Sequence, residues 1–177
     1  RKIAAWKAKS LNSKLISELI KSNVHPRLVF ASGSLMYGNS NDAHHENSAL
    51  NPISFARQYF KGEEPLLSTS RKNAYPLQIL RFPWVLGYGS WFKWFYLDTM
   101  KKYRVIPSFG NMKNMMHIID VQDAVDLMRL YAVKAPVPGI YNVFPNQIVP
   151  QEDFVKMLSH VFQHPVKHHG EIFLKGL

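Results

Sequence analysis

"RLVFAS", residues 27–32, lies between Pro26 and Gly33, and its short apolar run reads as a buried strand. Upstream, residues 3–21 place Ala4, Ala8, Leu11, Leu15 and Leu19 at three- and four-residue spacing with lysines between them, which is the pattern of an amphipathic helix. Downstream, "GSLMYGNSNDAHHENSALNP" is a polar loop. Asn51 followed by Pro52 is a cap and first-turn signal, and it predicts a helix over about 52–68. "YPLQILRF" (75–82) is a second buried strand. Helix, strand, helix, strand predicts an α/β fold with parallel crossovers at the front.

Farther along, "PWVLGYGS" leaves the second strand as a Gly-containing loop, and residues 91–104 read as helical. "MMHIID" (115–120) reads as a strand end feeding the helix of "VQDAVDLMRLYAV". "GIYNVF" (139–144) is a further strand, and "PQEDFVKMLSHVF" (150–162) opens a helix with Pro150 and Glu152. No internal repeat, low-complexity segment or clean linker is visible.

Composition bounds the function classes. The 177 residues suit one domain, or a domain and part of another, and a hydrophobic fraction of 46% supplies a packed core. The absence of cysteine excludes disulfides and thiolate chemistry. No stretch approaches the ~20 apolar residues of a membrane span. The first residue is Arg1, already inside a helical pattern, so the chain reads as a fragment or processed piece. Its formal charge of +10 is concentrated at the start, where Arg1, Lys2, Lys7, Lys9, Lys14, Lys21 and Arg27 face Glu18 alone. Such a surface attracts nucleic acid, anionic membrane or phosphorylated ligands. A solvated helix face is the reading adopted, with a module for RNA or anionic lipid as the alternative.

An ordered series of motifs resembles the extended short-chain dehydrogenase/reductases of the NAD-dependent epimerase/dehydratase type. "LVFASGSLMYG" (28–38) is similar to the strand that ends in a Ser/Thr pair before Tyr-Gly. "ENSALNPISF" (46–55) and "KGEE" (61–64) are similar to the Glu, Asn-Pro and Gly-Glu around the active-site helix. "LRFPWVLGYG" (80–89), "MHIIDVQDAV" (116–125) and "PGIYNV" (138–143) resemble the Arg-Pro strand and loop, the His-Val-Asp-Asp-Val signature and the Gly-x-x-Tyr-Asn-Val strand. Together they cover residues 10–162 in the family's order. The resemblance implies a Rossmann-type parallel sheet with NAD or NADP at its carboxyl edge. It also implies a small-molecule substrate such as a nucleotide-sugar, pairing through the first and active-site helices as a homodimer, and a cytoplasmic location. On this reading residues 1–90 are the second part of a dinucleotide-binding domain whose Gly-rich first half is missing. Residues 91–177 are then a mixed substrate-side region interleaved with it, and the remaining sheet has an unpaired inner edge.

The positions that carry the family's chemistry are altered. That chemistry moves a proton to or from a substrate hydroxyl, using a tyrosine whose pKa an ammonium four residues on lowers from its ordinary ~10. The tyrosine place is Phe55, the lysine place is Tyr59, and the serine place is Gly33, flanked by Ser32 and Ser34. General acid–base help is worth about 10² to 10⁴ in rate, so the expected function is an NAD(P)-binding protein without the usual Ser-Tyr-Lys catalysis. The alternative is an active oxidoreductase or epimerase with unconventional residues, its rescue resting on Tyr59; Lys61 sits on another helix face and does not replace the lost charge.

By resemblance, Ser32, Gly33, Tyr59, Pro83 and Val85 border the cofactor, and Ser34, Trp84 and Lys113 the substrate. Trp84 stands where the family has an Asn, so an indole replaces an amide donor. His117 and Asp120 are expected to hold a strand-to-helix corner. His160, His164, His168 and His169 lack a carboxylate or thiolate partner, so no metal is expected. "WFKWFY" (91–96) is read as core or substrate-side packing in preference to a membrane-surface helix.

Overall fold

The computed structural model describes residues 2–22, 26–40, 42–53, 56–134 and 137–169. The amphipathic start is α1 (Lys2–Lys21), and the buried run after Pro26 is β1 (Leu28–Gly33), which turns through a short 3₁₀ segment, Ser34–Tyr37. The next helix, α2 (Arg57–Asn73), begins five residues later than the Asn-Pro signal predicts and runs through Pro65. Asn51 is not a cap, because Ala56 holds that position; the Asn51 N–H donates to the Met36 carbonyl at 3.1 Å and closes the intervening loop. Then follow β2 (Leu77–Phe82), β3 (Trp84–Leu86), a π-helical turn at Lys93–Leu97, and α3 (Asp98–Tyr103). The remaining elements are β4 (Ile106–Phe109), β5 (Met115–Asp120), α4 (Val121–Lys134), β6 (Gly139–Asn142), β7 (Ile148–Pro150), α5 (Gln151–Phe162) and β8 (Val166–His169).

The chain divides into two compact units, one of residues 1–82 and 124–143, the other of residues 83–123 and 144–177. In the first, β1, β2 and β6 form a parallel sheet in the order β1-β2-β6. Register determines what each row of this sheet does. Leu28 pairs with Leu77; Phe30 pairs with Ile79, which pairs with Ile140; Ser32 pairs with Arg81, which pairs with Asn142. Side chains alternate across a strand, so all three rows share one face. The two apolar rows pack under Ile16, Leu19 and Ile20 of α1 and Leu66 and Leu67 of α2. Ile16, Leu66 and Ile79 are fully buried, each worth roughly 1.5–3 kcal/mol of transfer free energy. On the opposite face Tyr141 meets Tyr131 of α4 edge-on, ring centroids 5.0 Å apart.

In the second unit β3 pairs parallel with β5, β5 antiparallel with β7, and β4 parallel with β8. Its core is aromatic: Tyr96, Phe109 and Phe154 are buried with Met100, Ile106 and Met116, and Trp84, Trp91, Phe92 and Phe95 pack against them. Four of the six residues of "WFKWFY" therefore line this core, and Trp94 is exposed.

Candidate active-site edge

The third row of the first unit's sheet is polar and lies at the carboxyl ends of its strands. Ser32, Arg81 and Asn142 come together because they are register partners on three adjacent parallel strands. Two elements close over the row. Helix α2 brings Glu63, on the side of the helix opposite solvent, and the 3₁₀ turn after β1 brings Tyr37; both are buried. Arg81 Nη2 donates to Glu63 Oε1 at 2.6 Å, with both side chains 1% exposed. Ser32 Oγ donates to the other carboxylate oxygen at 2.6 Å. Arg81 Nη1 donates to the Tyr37 hydroxyl at 2.8 Å, and that hydroxyl donates onward to Asn142 Oδ1 at 2.7 Å. The Asn142 N–H donates to Glu46 Oε1 at 2.8 Å, tying the loop after Gly38 to the end of β6.

This is a continuous chain of hydrogen bonds from Ser32 to Glu46. Burial works against the charge on Arg81, but the Glu63 carboxylate and the Tyr37 hydroxyl outweigh it and raise the guanidinium pKa. The Asn142 N–H, then Glu46's own backbone N–H, hold the Glu46 carboxyl below its usual range. The Tyr37 ring stacks on His44 at 5.2 Å and lies 5.1 Å from the Arg81 guanidinium carbon. Arg81 Nε and His44 Nε2 are buried with no hydrogen-bond partner among the described residues. Gly38, with φ at +87°, completes the turn; a Cβ there would sit 2.1 Å from the Asn51 carbonyl oxygen, so only glycine fits.

The sequence-predicted site residues are distributed as follows. Gly33 ends β1 in extended geometry, φ −131° and ψ 145°, and a Cβ there would meet only the Phe82 carbonyl oxygen at 4.0 Å. Ser32 lies beside it, but its hydroxyl is directed to Glu63. Ser34 opens the 3₁₀ turn and is half-buried. Tyr59 is in the first turn of α2 and 47% exposed. Phe55 lies outside the described residues.

In the second unit, Pro83 is half-buried; Trp84 and Val85 are half-buried in β3, and Trp84 lies edge-on to Trp91 at 4.9 Å. Lys113 is exposed on a turn shaped by its N–H bond to Asn111 Oδ1. Asp120 caps α4 by accepting the Gln122 N–H at 2.7 Å, while His117 packs on Phe144 and not on Asp120. Among the described residues no group of three His, Cys, Asp or Glu is placed to hold a metal, and no helix is long and apolar enough to cross a membrane.

Sequence reasoning about chemistry passed over the residues that build the polar row. Yet Tyr37, Glu46, Glu63, Arg81 and Asn142 each stand in one of the motifs quoted above: "MYG", "ENSALNP", "KGEE", "LRFP" and "YNV". A model of the NAD dependent epimerase/dehydratase family matches residues 4–143. The chain belongs to the NAD-dependent epimerase/dehydratase family.

Solved structures of the same fold are found among enzymes of this type. A dTDP-glucose 4,6-dehydratase from Bacillus anthracis, solved with NAD, matches with a TM-score of 0.76 at 17% identity, over 90% of this chain and 54% of its own. A UDP-glucuronic acid 4-epimerase from Bacillus cereus, solved with UDP-glucuronic acid and NAD, matches at 0.78 and 15%, over 92% and 54%. A UDP-N-acetylglucosamine 4-epimerase from Methanobrevibacter ruminantium M1, in complex with UDP-N-acetylmuramic acid, matches at 0.75 and 20%, over 90% and 55%. At such identities the likeness is one of fold. The chain spans about half the length of these structures. A comparison with curated proteins finds no match.

Proposed function

We propose that this member of the epimerase/dehydratase family belongs to an NAD(P)-binding protein that keeps the family's carboxyl-edge architecture without its Ser-Tyr-Lys chemistry. One observation carries the reading. The motif residues Tyr37, Glu46, Glu63, Arg81 and Asn142 are engaged in one buried polar row, whereas the proton-transfer places hold Gly33, Phe55 and Tyr59. Ser32 does not substitute for the missing serine, because its hydroxyl is committed to Glu63.

NAD or NADP is assigned on the family relationship and on the solved structures that hold NAD, and a nucleotide-sugar is the corresponding substrate class. Ser32, Gly33, Tyr59, Pro83 and Val85 are the residues proposed to border the dinucleotide, and Ser34, Trp84 and Lys113 the substrate. There is room beside Gly33, but the donor set does not fit the nicotinamide end: Gly33 offers no hydroxyl and Tyr59 no ammonium.

Titration of NAD⁺, NADH and NADPH into the full-length protein tests the assignment, with saturable binding of at least one expected. Binding of none would overturn it. The rival reading, altered chemistry through Tyr59, draws on the partial exposure of that side chain. Tyr59→Phe separates the two: on the proposal there is no turnover for it to remove, on the rival it abolishes turnover.

A further inference from the structure

A dinucleotide is two nucleotides joined through a pyrophosphate, and its two ends need separate partners. A ribose diol is held best by charged donors, because charge-assisted hydrogen bonds are stronger than neutral ones. At the nicotinamide end this chain offers few donors of any kind. Gly33 ends β1 without a side chain, and the position beside it is open, with the Phe82 carbonyl oxygen 4.0 Å from a Cβ built there. The neighbouring Ser32 hydroxyl donates to one Glu63 carboxylate oxygen at 2.6 Å, and Arg81 occupies the other. Phe55 has no polar atom in its side chain.

The cations of this edge are engaged or turned away. Arg81 is 1% exposed, and its terminal nitrogens donate to Glu63 at 2.6 Å and to the Tyr37 hydroxyl at 2.8 Å. Arg57 and Lys61 stand two residues to either side of Tyr59, each about 200° around α2 from it. Arg57 Nε donates to the Pro52 carbonyl at 3.4 Å. Tyr59 itself presents a phenol, which carries no positive charge. By elimination, affinity for a dinucleotide resides in its other half.

We propose that the protein holds an adenine dinucleotide by its ADP half alone and carries the nicotinamide riboside end without recognising it. The inference rests on the dinucleotide-binding reading and narrows it. The ligand class is then the esters of adenosine diphosphate, to which NAD⁺, NADH and ADP-ribose equally belong, and the redox state of the ring makes no difference to binding.

The test is calorimetric titration of the full-length protein with NAD⁺, NADH and ADP-ribose. NADH and ADP-ribose bear the same formal charge and differ by the dihydronicotinamide ring. Should NADPH bind more tightly than NADH, the comparison is made with NADP⁺, NADPH and 2′-phospho-ADP-ribose. The three dissociation constants are expected to lie within about threefold of one another. Tyr59→Lys places an ammonium in the exposed first turn of α2. It should tighten NADH about tenfold while moving ADP by less than about threefold. If Tyr59→Lys lowers the thermal midpoint, Tyr59→Arg supplies the same measurement.

A larger preference for NAD⁺ or NADH over ADP-ribose, such as a Tyr59 ring stacked on the nicotinamide would give, overturns the inference and leaves the dinucleotide reading standing. So does a Tyr59→Lys variant that tightens ADP as much as NADH, or tightens neither. Absence of binding by every ligand in the series removes both.

Discussion

Glu63 and Arg81 each neutralise a charge that would otherwise be stranded away from water. Removing the carboxylate with Glu63→Ala leaves the guanidinium of Arg81 buried and unpaired, and frees the Ser32 hydroxyl of its acceptor. The expected loss is about 3–5 kcal/mol, read as a lowered denaturation midpoint for the first unit. Gly33 is the opposite case. Its backbone is extended and its surroundings are open, so Gly33→Ser should fold as well as the parent, within about 0.5 kcal/mol in chemical denaturation. A large loss there would show that the serine place is closed to a side chain and would remove the room argued for beside it.

At the scale of elements, three helices end on non-glycine residues in left-handed geometry: Ala74 (φ 51°), Arg104 (φ 57°) and Gln163 (φ 53°). Each accepts strain that glycine avoids. Ala74 is exposed and its N–H caps α2 on the Ser70 carbonyl, so Ala74→Gly keeps the cap and relieves the strain. Thermal denaturation should show a gain of up to about 1 kcal/mol. The same helix shows how local signals mislead. Asn51-Pro52 has the composition of a helix start, but the loop from Gly38 must first close, and the Asn51 N–H is spent on Met36. Tertiary closure outcompetes the capping preference. β3 lies in the stretch that reads as a loop, and β4, β7 and β8 do not register, because three- and four-residue strands carry little alternation; β6, equally short, registers only within the longer apolar run "GIYNVF".

For the molecule as a whole, the two units have cores of different chemistry, aliphatic in the first and aromatic in the second. Burial pushes the Tyr96 hydroxyl up to about 12 from its ordinary 10.0. A raised pKa means the neutral form is favoured in the fold. Its contribution is complete below pH 10 and is lost as pH rises toward about 12. Base should therefore unfold the second unit through that window, whereas Tyr96→Phe should flatten the loss while changing little at neutral pH. Near-ultraviolet circular dichroism between pH 8 and 12 reads both; an unchanged alkaline transition in the variant would mean that other groups drive it.

How much of this was legible beforehand follows from the range of the forces involved. The helical period of α1 and the apolar runs of β1 and β2 are local hydrophobic signals, and with the ordered motifs they determined the α/β class and the family from sequence alone. The motifs also contained every residue of the polar row. What they did not contain was its use. Ser32, Glu63, Arg81, Tyr37 and Asn142 are separated by as many as 110 positions and meet only because parallel register aligns three strand ends beneath a helix. By its place at the strand end Ser32 is available to a ligand, but in the fold its hydroxyl donates to the Glu63 carboxylate. Only tertiary structure decides such questions, because a hydrogen bond depends on ångström distances between partners that chain order does not record.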